Sequence, residues 1–170
     1  MDEKLLDNRI IFLNGEVNEE SAYNIISKLL YLDSISNDDI SLYIDSPGGS
    51  VTQGLAIIDT MNLIKSDVAT YCVGEAFSMG AIILSCGKKG KRYCLPNGEI
   101  MIHQPSGSAY GKADEILISS NRINKTKEKL INILVKNTKK NKKQISKCFN
   151  QDYFFDVKEA LDFGIIDNTF

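Results

Sequence analysis

Apolar positions along this chain alternate between two rhythms. Short, nearly unbroken apolar runs give way to longer stretches in which apolar residues recur every three or four positions. The first rhythm predicts strands buried on both faces, the second helices packed by one face. An element entering the fold begins near Leu5 and leads into a strand over residues 9–13 (Arg-Ile-Ile-Phe-Leu). Asn18 then caps a helix with Ala22, Ile25, Ile26, Leu29 and Leu30 on one face. Ile40–Ile44 is a second strand, and it ends in the turn sequence Asp45-Ser46-Pro47-Gly48-Gly49-Ser50. A helix comes next, with Leu55, Ile58 and Met61 inward and Asp59 outward.

The second half continues the alternation. Val68–Val73 is a strand, and Ser78 opens a helix over Met79–Cys86. Residues 87–90 turn the chain into a strand over Arg92–Leu95, and Glu99–His103 is another strand. One long helix runs from Ala113 to about Lys136, with Ile116, Ile123, Leu130 and Leu134 among its apolar positions. A short helix covers Lys142–Cys148. The last helix starts at Asp156, with Glu159 completing a capping box, and ends at Gly164 before a final short strand at Ile165-Ile166. No repeat, linker or low-complexity stretch divides the chain, so the pattern predicts one α/β domain over residues 1–170 with a largely parallel sheet. The long helix spans about 35 Å at 1.5 Å per residue. It either projects toward other subunits or lies across the sheet, and the pattern leaves both open.

Composition narrows the function classes. The chain has 170 residues, 43% of them hydrophobic and 25% charged, with a net charge of −2. That is an ordinary globular balance and gives no basic footprint for nucleic acid. The one basic cluster, Lys136 to Lys143, reads as a solvated helix end. No apolar run reaches membrane length, and no targeting peptide is visible at Met1. Cys72, Cys86, Cys94 and Cys148 show no metal-ligand spacing, and Cys72 and Cys94 fall in predicted buried strands as small apolar residues. The expectation is no metal and a reducing compartment.

The chemistry lies at strand ends. Ser78 sits among small residues where an apolar strand meets a helix, the position from which a fold presents a nucleophile. Serine needs a positioned base, and His103 is the only histidine in the chain. A carboxylate must hold its second ring nitrogen. Asp152 is the best candidate, because the aromatic run Tyr153-Phe154-Phe155 after it can bury it against the core, with Asp156 and Asp162 as rivals. An oxyanion needs N–H donors. Met79 offers one at the helix start, and Gly48-Gly49 offers another free of a Cβ. Singly, these features read as a helix cap, an interior histidine, a loop carboxylate and a turn. Jointly they point to a serine hydrolase.

Five segments carry a family resemblance: residues 9–13, Leu42-Tyr-Ile-Asp-Ser-Pro-Gly-Gly-Ser50, Ala76-Phe-Ser-Met-Gly-Ala81, Gly87-Lys-Lys-Gly-Lys-Arg92 and Met101-Ile-His-Gln-Pro105. Together they resemble the ClpP family, the proteolytic subunits of ATP-dependent caseinolytic proteases, along essentially the whole chain. The resemblance implies a crotonase-like fold of repeated ββα units, with residues of about 104–136 forming a protruding handle. It assigns Ser78 as nucleophile, His103 as base, Asp152 as orienting acid, and Gly49 and Met79 as oxyanion donors. Residues 49–51 (Gly49, Ser50, Val51) and 104–106 (Gln104, Pro105, Ser106) would flank an extended peptide by strand addition. Tyr43, Tyr71, Tyr93 and Phe170 would fall at the apolar docking pocket for an AAA+ unfoldase. The implied assembly is a heptameric ring, alone or as two stacked rings, acting on unfolded protein or peptide substrates. No cofactor is expected in the chain, since ATP is used by the partner unfoldase. Nucleic acid and membrane are not expected partners.

Four departures accompany the resemblance. Phe77 is bulkier than the small residue common before the nucleophile. Glu75 places a carboxylate where apolar or amide residues are usual. Asn150 and Gln151 stand where a charged pair commonly couples ring to ring. No axial-loop segment precedes Met1. A catalytically silent ring subunit is therefore one alternative, and a crotonase-type enzyme acting on an acyl-CoA thioester is another. Usage rich in Asn, Lys and Ile reads as AT-rich coding. It favours an organellar lumen, a plastid-type organelle or the mitochondrial matrix, with bacterial cytoplasm as the alternative.

Overall fold

The computed structural model describes residues 2–170. Its elements are α1 Asp2–Asp7, β1 Ile10–Asn14, α2 Glu19–Ile35, β2 Ile40–Ser46, α3 Val51–Leu63, β3 Val68–Phe77, α4 Met79–Ser85, β4 Arg92–Cys94, β5 Glu99–Ile102, α5 Ala113–Asn137, α6 Lys142–Phe149, β6 Tyr153–Phe155, α7 Val157–Phe163 and β7 Asn168–Thr169. The strands form a seven-stranded sheet in the order β1-β2-β3-β4-β7, with β5 beside β3 and β6 beside β5. All pairings are parallel except β5 with β6. Burial alternates along β1 and β2, so these strands bury one face and not both as their apolar runs predict. Ile11, Leu13, Leu42, Ile44, Ala22, Ile25, Leu29 and Ile83 are fully buried there. Each large aliphatic side chain among them contributes about 1.5–3 kcal/mol of transfer free energy.

β3 serves two neighbours in succession. Thr70–Cys72 pair with β4, and Glu75–Phe77 pair with β5. Between these halves the pairing with β2 slips, so that Ile44 faces Cys72 but Ser46 faces Ala76. Such a bulge bends a strand and re-aims the residues beyond it. Within the slip the Asp45 carboxylate accepts the Glu75 N–H at 3.2 Å. The residue re-aimed at the end of β3 is Ser78.

Two arginines fix long-range geometry. The Arg9 guanidinium donates to the carbonyls of Leu32, Ser36 and Asp38 at 2.9–3.1 Å, tying the start of β1 to the last turn of α2 and the loop after it. Arg92 is buried. It donates to both Asp167 oxygens at 2.7 and 2.6 Å and to the Ser85 and Asn137 carbonyls at 3.2 and 2.6 Å. It thereby ties β4 to the ends of α4 and α5 and to the approach to β7. Burial pushes the Asp167 carboxyl up, but Arg92 outweighs this and holds it below the usual carboxylate range.

The predicted Asn18 cap and the Asp156–Glu159 capping box both form. Asn18 Oδ1 accepts the Ser21 N–H at 2.9 Å, and Asp156 exchanges bonds with Glu159 at 2.8 and 3.0 Å. Elsewhere the structure departs from the sequence reading. Leu30 is 47% exposed. The buried stripe of α2 runs through Ala22, Ile25, Leu29 and Leu32, and Leu30 lies about 100° off it. Ile165 and Ile166 are buried without forming a strand. The Ile165 N–H is taken by the Ala160 carbonyl at 3.0 Å as α7 terminates, and the last strand forms instead at Asn168–Thr169 against β4. In α5 only Leu130, Ile131 and Leu134 are buried, while Ile116, Leu117 and Ile118 stay exposed. The helix thus leaves the core with apolar side chains uncovered. Among the described residues, no helix is long and apolar enough to cross a membrane.

Candidate active site

Sheet register brings three distant residues into one row. Ser78 comes directly after the last residue of β3, and its N–H donates to the Met101 carbonyl of β5 at 2.8 Å. Because β5 runs parallel to β3, its exit delivers His103 beside the serine. β6 runs antiparallel to β5 with Ile102 opposite Tyr153. One further step along that register sets Asp152 opposite His103. The side chains complete the alignment that the backbone prepares. The Ser78 hydroxyl lies 2.8 Å from His103 Nε2, and Asp152 Oδ1 lies 2.9 Å from His103 Nδ1. The bond to Asp152 selects the tautomer with the proton on Nδ1, which leaves Nε2 free to accept from serine. The rival carboxylates are engaged or remote: Asp156 caps α7, and Asp162 makes no bond to His103.

Ser78 has φ 51 and ψ −118 and makes no capping bond with its side chain. Those dihedrals match the first central position of a II′ turn, which ordinarily belongs to glycine. The ordinary-cap reading of Ser78 therefore fails, because its hydroxyl points to the imidazole and not to the amides of α4. Asp152 joins His103 but is not buried as expected. Its side chain is 63% exposed, against 33% for His103. Of the aromatic run only Phe155 is buried; Tyr153 and Phe154 are 42% and 49% exposed. The run is a strand, β6, which the sequence reading missed, so its side chains alternate across the sheet and cannot all cover the carboxylate.

The glycine turn is pressed against the serine. A Cβ on Gly48 would stand 2.7 Å from Ser78 Cβ and 2.9 Å from the Met79 nitrogen, and Gly48 has φ 94. Ser46 Oγ, buried, accepts the Gly48 N–H at 3.1 Å. Gly49 bridges to Val17. Among the described residues, neither the Gly49 nor the Met79 N–H has an acceptor within the chain. Both amides are free to receive an anion. The two segments expected to flank a peptide are not strands. Ser50 caps α3 and Val51 is its first residue. Residues 104–106 form no regular structure, and the Gln104 side-chain amide donates to the Asn150 carbonyl at 3.2 Å.

Tyr43, Tyr71, Tyr93 and Phe170 form one row across the sheet, on the face away from the buried Leu42 and Ile44. Ring centroids are 4.6 Å apart for Tyr43–Tyr71, 4.8 Å for Tyr71–Tyr93 and 5.5 Å for Tyr93–Phe170. The strand register makes the three tyrosines neighbours. Phe12, which the sequence reading did not include, extends the row at 5.3 Å from Tyr43. A cavity of about 550 Å³ opens at that end, lined by Phe12, Tyr43, Leu5 and Lys28 among others.

The cysteines are all free thiols. Cys72 and Cys94 face each other across β3 and β4. Contact with Cys94 and burial push the Cys72 thiol up, and burial pushes Cys86 up to about 11. Neither is a thiolate nucleophile at neutral pH. Among the described residues no group of three His, Cys, Asp or Glu side chains could hold a metal ion. A scan against protein-family models matches the chain over residues 1–170 to the model described as Clp protease.

Proposed function

The chain belongs to the Clp protease family, and from that premise we propose that it is a serine endopeptidase subunit of a self-compartmentalising, ATP-dependent protease. The observation that carries this reading is the continuous hydrogen-bonded row from the Ser78 hydroxyl through His103 to Asp152. Ser78 Oγ attacks the scissile carbonyl carbon while Nε2 of His103 takes the hydroxyl proton. Asp152 stabilises the imidazolium and keeps its ring oriented. The N–H groups of Gly49 and Met79 receive the oxyanion, a contribution of about 3–4 kcal/mol per donor in comparable sites. His103 then protonates the leaving amine, and water releases the acyl group by the same steps in reverse.

The substrate would lie extended between residues 49–51 and 104–106. Residues 104–106 form no regular structure and would supply most of the ladder to the peptide, while on the other side Gly49, bridged to Val17, would offer its free N–H ahead of the α3 start. The chain is proposed to form heptameric rings that stack through the α5 region, and the uncovered Ile116, Leu117 and Ile118 support that use. The row of Tyr43, Tyr71, Tyr93 and Phe170 is proposed to receive an AAA+ unfoldase, which would hydrolyse the ATP; the peptidase chemistry requires no cofactor.

Reaction with a fluorophosphonate, with the modified residue mapped by mass spectrometry, tests the reading. Stoichiometric labelling at Ser78, abolished in Ser78→Ala, is expected. No labelling of the native protein would overturn the assignment and favour a catalytically silent ring subunit.

A further inference from the structure

Of the three members of the row, Asp152 is held least. It is exposed, it precedes a three-residue edge strand, and its bond to His103 is the one side-chain hydrogen bond it makes among the described residues. The segment before it, at Asn150, is tied down differently. Lys127 Nζ donates to Gln104 Oε1 at 2.8 Å and to Asn150 Oδ1 at 2.9 Å. Gln104 Nε2 in turn donates to the Asn150 carbonyl at 3.2 Å. Gln104 directly follows the base, and Asn150 stands two residues before the acid. The two amide oxygens are both acceptors and cannot bond each other. A lysine ammonium, with three donors and no acceptor, can join them. Lys127 makes no ion pair among the described residues, so its charge is directed to these two oxygens. Charge-assisted bonds of this kind are roughly twice as strong as neutral ones.

We propose that Lys127 is a positioning residue that clamps the segment after His103 to the segment before Asp152, and so holds base and acid at bonding distance. The inference rests on the reading of Ser78, His103 and Asp152 as the reacting row. Lys127 stands one turn before Leu130, the first buried residue of α5, at the point where that helix leaves the core. The clamp therefore connects the orientation of α5 to the geometry of the site. Nothing in the sequence distinguishes Lys127 from the other lysines of a solvated helix, and only the fold brings it to the two amides.

The test uses Lys127→Met and Lys127→Arg in the full chain. The fluorophosphonate labelling rate at Ser78 should fall about ten- to a hundredfold in Lys127→Met, the scale of a small misplacement. Lys127→Arg, which keeps the donors, should recover most of that loss. In an Asp152→Asn background Lys127→Met should have less than about a twofold further effect, since its action runs through the acid. An equal drop in both backgrounds would overturn the proposal. Amide hydrogen exchange supplies a readout independent of activity. Residues 150–153 should exchange faster in Lys127→Met, while β1 and β2 are unchanged. Unchanged exchange at 150–153 would also overturn it. Should native Ser78 fail to label, the reacting-row reading fails, and exchange still decides whether Lys127 holds the two segments.

Discussion

A pair of substitutions at Ser78 measures whether its backbone is strained. Ser78→Ala and Ser78→Gly both delete the hydroxyl and its 2.8 Å bond to His103, so that loss cancels between them. The remaining difference is the Cβ. At φ 51 and ψ −118, an L-residue with a Cβ carries about 1–3 kcal/mol of strain, which glycine releases. Glycine in turn costs about 0.5–1 kcal/mol more unfolded-chain entropy than alanine. The difference leaves Ser78→Gly more stable than Ser78→Ala by about 1 kcal/mol, the reverse of the usual order. For a chain of this size that is about 2–4 °C in Tm. Urea denaturation and thermal scans at matched protomer concentration read it directly, because association alters the apparent midpoint. Alanine more stable than glycine by its ordinary margin would refute the argument. Ser78 would then be an unstrained helix start, and only the hydrogen-bonded row would speak for it as a nucleophile.

Arg92→Leu should destabilise the protein by about 3–5 kcal/mol in chemical denaturation, because it leaves Asp167 without its partner, while Arg92→Leu combined with Asp167→Leu should recover most of the loss. The Asp167 carboxyl is depressed in the folded state. Its stabilising contribution is therefore fully present above the ordinary carboxylate range and fades as pH falls through the folded value. Asp167→Asn should flatten that acid limb of the stability profile. Gly48→Ala should reduce fluorophosphonate labelling at Ser78 by about a hundredfold, comparable to losing an oxyanion donor. Its methyl would meet Ser78 Cβ at 2.7 Å and the Met79 nitrogen at 2.9 Å. Labelling at the native rate would show that the turn does not support the serine.

The sequence made some features legible and hid others for identifiable reasons. β2, α3 and α5 were readable from their local period, and α2 and α7 from their caps as well. Ser78 and His103 were readable because each stands where an apolar run ends. β6 was not, since three aromatic residues show no period. Residues 165–166 misled because an apolar pair suggests a strand, whereas the end of α7 claims the Ile165 amide and the polar pair Asn168–Thr169 joins the sheet. Asp152 meets His103, but register across β5 and β6 brings it there, not the burial that the sequence reading relied on. The bonding roles of Arg9, Arg92 and Lys127 gave no signal, as their partners, Ser85 for Arg92 excepted, lie more than twenty residues away in sequence.

The three members of the row are anchored unequally, and the gradient has a structural cause. Ser78 is fixed by a backbone bond to β5, by the bulge that bends β3, and by the glycine turn lying on its Cβ. His103 comes after an interior strand and keeps a third of its side chain exposed. Asp152 precedes β6, which pairs on one side only. A nucleophile misplaced by a fraction of an ångström loses its attack geometry, so the most rigid anchoring belongs where it is found. An orienting carboxylate acts through one hydrogen bond and tolerates a softer mount, provided that something limits its drift. In this chain the limiting contact comes from α5, through the Lys127 ammonium on Gln104 and Asn150. The row already stands at bonding distance within the single chain, so a clamp on the segment before Asp152 acts by limiting the drift of the acid, not by bringing it into place.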